Sequence, residues 1–185
     1  MMPFCRSLML LYLCFIPVVV SCDEVDETVE AEPRSEMNNA RLDEIIRRLD
    51  ENTEGEAGSW RFSVADLSVM VITDENHDRM RIIIPIIEIA ELQPEVVHRL
   101  MQANFDSTLD ARYAFARGVL WSAYIHPLAS LTDHEFLTGL GQTVNLVTNF
   151  GSSYSSGLLI YGGGDSKALQ DKALIEELLD RGMAI

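Results

Sequence analysis

Hydrophobic and polar positions recur with two different periods along this chain, and the changes of period mark its elements. Leu42, Ile45, Ile46 and Leu49 fall at helical spacing among charged residues, which predicts a helix over 38–52 with one apolar stripe. Glycines at 55 and 58 close it. Trp60, Phe62 and Val64 then alternate with Ser59, Arg61 and Ser63, the period-two pattern of a half-buried strand. A second strand is expected over 67–73, a turn over 74–78 and a third strand over 79–84. Connections this short favour an antiparallel meander. Pro85 has no N–H to donate, so it is expected to end the ladder or to lie on an edge.

Pro94 suits the first position of a second helix, 94–103, with Val96, Val97, Leu100 and Met101 inward and Asn104 closing it. Two strands follow, 111–116 and 119–125, rich in aromatic and β-branched residues. They are joined at Arg117-Gly118, where the glycine meets the demand for a positive φ. The next helix start is marked three ways. Thr132 and Glu135 have capping-box spacing, Leu131 and Phe136 have hydrophobic-staple spacing, and Asp133 lies at the positive helix end. Its stripe runs from Phe136 through Leu140, Val144, Val147 and Phe150 to Tyr154 and Leu158, with a weak middle at Gly151 and the serines that follow. Gly162-Gly163-Gly164 is a break, and a last amphipathic helix spans 166–181. Together these predict an α+β fold. An antiparallel sheet, made of a three-strand meander plus a hairpin, is packed by helices in the order α-βββ-α-ββ-α, with a C-terminal helix added.

The first 21 residues change the picture, because they read as an address rather than as fold. Arg6 precedes an apolar run, Leu8 to Val20, that is too short for the ~20 residues a membrane-spanning helix needs. Val19-Val20-Ser21-Cys22 resembles a bacterial lipobox. That resemblance implies cleavage before Cys22 and attachment of lipid to its thiol; the alternative is a plain secretory signal. Cys5 and Cys14 would leave with the signal, so the mature chain would hold no pair of thiols. Asp23 resembles the inner-membrane retention signal of enteric lipoproteins, which implies an anchor on the periplasmic face. Residues 22–36, acidic and without aromatics, are expected to form a self-repelling tether that reaches about 50 Å at full extension. The domain proper is then 37–161, and 162–185 is a glycine hinge and terminal helix.

Charge excludes some partners. With 29 acidic and 14 basic residues the chain carries −15, and loss of residues 1–21, which contain one arginine and no acid, leaves −16. Such a molecule is a poor fit to nucleic acid or to an anionic membrane surface. Chemistry is also sparse. The four histidines, at 77, 98, 126 and 134, form no paired metal motif, and no phosphate loop or nucleophile elbow is present. His126 and His134 bracket one loop and are the only candidates for a small-ligand or catalytic site. No cofactor or metal is expected.

The element order, together with a set of fold-marking residues, resembles the YbjN-like sensory-transduction regulator family and its structural relatives, the class I type III secretion chaperones. Those residues are the apolar exit Ile82 to Pro85, Asn104, Ala111-Arg112-Tyr113-Ala114, Gly118, Pro127-Leu128 and Leu131-Thr132, and the likeness covers 42–159. It implies a dimeric domain that holds a client along its surface. The chain departs from that pattern in its export signal, its tether and its terminal helix, and an exported lipoprotein cannot serve a cytosolic client. The expectation is therefore a membrane-tethered, non-catalytic module that binds a protein or peptide, in which a homodimer is one form. Docking is expected at a sheet edge or helix-lined groove, with strand addition, and its candidate contacts are Trp60, Ile83, Tyr113, Trp121 and Tyr124; the strand spacing of the four aromatics makes core or dimer interface their default reading. The competing classes are a structural envelope lipoprotein without a client and a site at His126 and His134.

Overall fold

The helix start at Asn38 shows how closely local chemistry sets the first element. Its side chain accepts a 3.0 Å hydrogen bond from the Arg41 N–H, and α1 runs from Asn39 to Leu49. Leu42, Ile45, Ile46 and Leu49 are all buried, each contributing about 1.5–3 kcal/mol by leaving water. Asp50 ends the helix in an extended conformation. Its carboxylate accepts the N–H groups of Ser63 and Asn52, and those bonds hold its carboxyl below the usual range.

A computed structural model describes residues 36–106, 108–151 and 165–183, with 165–170 as backbone. The signal segment, Cys22, the tether up to residue 35 and the Gly162–Gly164 break lie outside the described residues. The strands are β1 (Glu54–Glu56), β2 (Ser59–Val64), β3 (Leu67–Asp74), β4 (Arg79–Glu88), β5 (Arg112–Ala116) and β6 (Val119–His126). They make one antiparallel sheet in the order β1-β2-β3-β4-β6-β5. A short 3-10 turn and α2 (Pro94–Asp106) carry the chain from β4 to the far edge, and β6 returns between β4 and β5.

The expected fold class is present, with corrections in detail. The meander has four strands, because β1, whose Glu-Gly-Glu has no apolar alternation to betray it, pairs with β2. The third predicted strand continues past Pro85 to Glu88. Pairing with β3 stops at Ile83, so Pro85 lies where β4 has a neighbour on one side only, and a bulge between Pro85 and Ile87 lets pairing with β6 continue. On α2, Met101 was expected inward but is 53% exposed, while Leu100 and Ala103 are buried. The long helix α3 (Asp133–Thr148) stops well before Leu158. Asn149 caps it, Gly151 follows at φ +80°, and the Asn149 amide donates to the Asp171 carboxylate. The rest of the predicted stripe, Tyr154 and Leu158, lies outside the described residues.

The capping box of α3 is complete. The Thr132 hydroxyl accepts from the Glu135 N–H, and the Glu135 carboxylate accepts from the Thr132 N–H. In the β5–β6 hairpin, Arg117 and Gly118 are both at positive φ, as a two-residue primed turn requires.

All four helices lie on one side of the sheet. The inward rows, such as Trp60–Val71–Ile82–Tyr124, share a core with Ile45 and Ile46 of α1 and with Phe136, Leu137 and Leu140 of α3. Helix α4 (Asp165–Gly182) packs on this domain through buried Leu178, and the Arg181 guanidinium donates to the Leu49 carbonyl. A second cluster under α2 joins Leu100 and Ala103 to Tyr113 and Leu120.

Candidate functional site

Strand parity decides which side chains face away from the helices. In β2 to β6 the outward positions stand in register as cross-strand rows. One row is Arg61–Met70–Ile83–Ala123–Arg112, spanning five strands. The next is Ser59–Ile72–Arg81–Ile125, and a third is Pro85–Trp121–Ala114. Among the described residues no helix covers this face. Its middle is apolar: Ile125 is 61% exposed and Ile72 38%, while Met70, Ile83 and Trp121 are half-buried by their neighbours. Arg61 and Arg112 flank that middle and Arg81 stands within it between Ile72 and Ile125, while Glu54, Glu56, Asp74 and Glu88 enter at its margins. A cleft of about 480 Å³ opens at the β3–β4 turn, lined by Ile72, Arg79 and Arg81 with Asp74 and Glu75. The Asp74 carboxyl there is held below its usual range by a hydrogen bond to the His77 ring.

The five predicted contact residues divide by parity. Ile83 and Trp121 lie on the open face. Trp60, Tyr113 and Tyr124 do not: they are 1%, 4% and 5% exposed, on the helix-covered side. The Trp60 indole N–H donates to Asp43 (2.8 Å), and the Tyr113 hydroxyl donates to the Leu146 carbonyl (2.9 Å). Burial pushes the Tyr124 phenol up to about 12. These three hold the fold together, and the expectation that they meet a partner is corrected. Arg61, Met70, Ile72, Arg81, Arg112 and Ile125 were missed. The signal that finds them is the set of positions between the core residues of β2 to β6, which mixes isoleucine and methionine with arginine instead of turning wholly polar.

The edges are less accessible than strand addition requires. β1 is three residues long and acidic, and Arg47 donates to the Gly55 carbonyl. On β5 the Asn104 side chain takes the place of a pairing strand. Its amide donates to the Tyr113 carbonyl (2.9 Å) and its oxygen accepts the Tyr113 N–H (2.8 Å). Asn104 does this from inside α2, which continues to Asp106, so it does not close that helix as expected. The unpaired stretch of β4 carries Pro85. Each edge is thus shortened, occupied or deprived of a donor, the standard defences against an added strand. Replacing Asn104 with alanine is expected to cost about 1–3 kcal/mol, as the Tyr113 backbone loses both bonds. It should also produce concentration-dependent self-association. Urea melts and size-exclusion chromatography over a range of concentrations test both; a variant as stable and as monodisperse as the parent would show that Asn104 guards nothing.

The two bracketing histidines have separate local contacts. The His126 ring stacks on Tyr124 at 6.0 Å, with Nδ1 2.7 Å from the Pro127 carbonyl oxygen, and His134 Nδ1 lies 3.5 Å from the Thr138 hydroxyl. Among the described residues no three His, Cys, Asp or Glu side chains are grouped to hold a metal, and no helix is long and apolar enough to cross a membrane. No protein-family model and no curated protein matches this chain.

Proposed function

We propose that this chain is a lipid-anchored, non-catalytic protein-binding module of a bacterial envelope, and that it binds through the open face of its sheet. One observation carries the reading. A sheet face that is solvated on one side normally alternates to polar residues there, whereas this one gathers Met70, Ile72, Ile83, Trp121 and Ile125 into a contiguous apolar middle. Contiguous exposed apolar surface of that kind marks interaction sites. Face docking replaces strand addition in this reading, because the edges are blunted while the face is open. The anchor at Cys22 and the tether after it rest on the sequence alone.

A photo-crosslinking residue placed at position 83 or 125 in native cells tests the reading, with position 44 on the opposite side as control. The expected result is one discrete adduct from 83 and 125 and none from 44. Exchanging His126 and His134 for glutamine should leave the adduct unchanged. Adducts that appear equally from all three positions, or only from 44, would sink the face as the docking surface. Cys22→Ala should release the chain from the membrane fraction.

A further inference from the structure

We infer that the partner segment this face takes is acidic, setting apolar side chains on Met70, Ile83 and Ile125 and carboxylates against Arg61, Arg81 and Arg112. This rests on the reading that the open face is the docking surface.

On the helices Arg41 pairs with Glu44 and Asp133, Arg47 with Asp43, Lys172 with Glu176 and Arg181 with Glu177. Among the described residues, Arg61, Arg81 and Arg112 of the open face make no such pair. Arg61 reaches the Met70 sulfur at 3.7 Å, and Arg112 donates to the Leu109 and Ala111 carbonyls, neither of which neutralises charge. A chain with twice as many acids as bases has carboxylates to spare, yet it leaves these guanidiniums without one. Arginine is also the cation suited to such a task, because its planar fork takes a carboxylate through two parallel bonds.

Register makes the arrangement directional. Arg61 and Arg112 stand in one row, about 19 Å apart at ~4.8 Å per strand, with Met70, Ile83 and Ala123 between them; Glu54 of β1 stands opposite Arg61 at the margin but forms no ion pair with it. Arg81 stands next to Ile125 in the adjacent row. A segment laid across the strands therefore meets charge, apolar surface, then charge. A second copy of this chain is a poor occupant. An isologous pairing about Ile83 would set Arg61 of one copy against Arg112 of the other, and like charges facing each other across an interface oppose it. A phosphate backbone would use the arginines but leave the apolar middle uncovered, whereas an acidic segment with interspersed apolar residues uses both.

The test is selection of a displayed random 12-residue peptide library on the full chain in detergent, followed by affinity measurement on the enriched peptides. Enriched sequences should carry net negative charge with interspersed apolar residues. Their Kd should rise at least tenfold with R61Q/R81Q/R112Q and with Ile83→Asp, and binding should weaken as salt increases. Ile125→Asp, at a largely exposed position, serves where Ile83→Asp disturbs the sheet. Neutral or basic peptides that still depend on Ile83 and Ile125 would overturn the acidic partner and leave the face reading intact. Peptides indifferent to both isoleucines would overturn both. Self-association, or sedimentation with phosphatidylglycerol vesicles, that is abolished by the same substitutions would give the face to a second copy or to lipid and overturn the inference.

Discussion

Gly139→Val is expected to lower the unfolding free energy by about 3 kcal/mol, at the upper end for an overfilled core. Gly139 is buried in α3 directly over the Tyr124 ring, and a Cβ there would sit 2.6 Å from Cε1, 2.7 Å from Cζ and 2.8 Å from Cδ1. Tyr124 is 5% exposed and stacked on His126, so its ring has little room to retreat. Two effects oppose each other in the smaller variant. Gly139→Ala gains up to about 1 kcal/mol of helix propensity and loses about 1–3 kcal/mol to the clash, so a modest net loss is expected. Valine adds two more carbons and a β-branch, and the clash then dominates. Urea denaturation reads the loss, and a cycle with Tyr124→Leu assigns it: the double variant should recover at least about 1 kcal/mol relative to additivity. Strictly additive losses would show that the Gly139–Tyr124 approach is not what the glycine serves.

Trp60→Ala is expected to cost about 3–5 kcal/mol, the range for removing a large aromatic side chain from a packed core. Trp60 is among the largest fully buried side chains. It faces the helices in the Trp60–Val71–Ile82–Tyr124 row, and its N–H donates to Asp43 on α1. The Asp43 carboxyl is held low by its hydrogen bond to Arg47 first and by Trp60 second, so it stays ionised as the acceptor. Trp60→Phe keeps most of the packing and loses the hydrogen bond, and about 1–2 kcal/mol should go with it. The contrast with Trp121 checks the placement of the docking face. Trp121→Ala should change stability less and crosslinking from position 125 more. A Trp60→Ala chain as stable as the parent would mean that the sheet and α1 are not joined through this residue.

The start of α3 and the hairpin were legible because short-range chemistry sets them. The Thr132–Glu135 box and the Arg117-Gly118 turn each involve groups within three residues of one another. Strand β1 was illegible for the opposite reason: its Glu-Gly-Glu owes its conformation to pairing with β2. The end of α3 was misread because apolar spacing continues past Thr148, and helical spacing cannot show that Asn149 and Gly151 turn the chain away. Asn104 was noticed as a helix end. Its work on the Tyr113 backbone depends on α2 being laid beside β5, nine residues along the chain.

By itself, then, the sequence determined the element types, the α+β class and which residues alternate along each strand, since those follow from spacing and local capping. In β6 it could not say which of two alternating sets would meet the helices, because Val119, Trp121 and Ile125 rival Leu120 and Tyr124. Trp60 and Trp121 look alike in sequence, each an aromatic in an alternating strand. The pairing of β2 with β3 and of β3 with β4 sets Trp60 in the buried rows, and the pairing of β4 with β6 sets Trp121 with Ile83 and Ile125 outside. One residue of register shift moves every side chain of a strand to the other face. That is why the arginine-flanked apolar face became visible only when six strands from across the chain were set side by side.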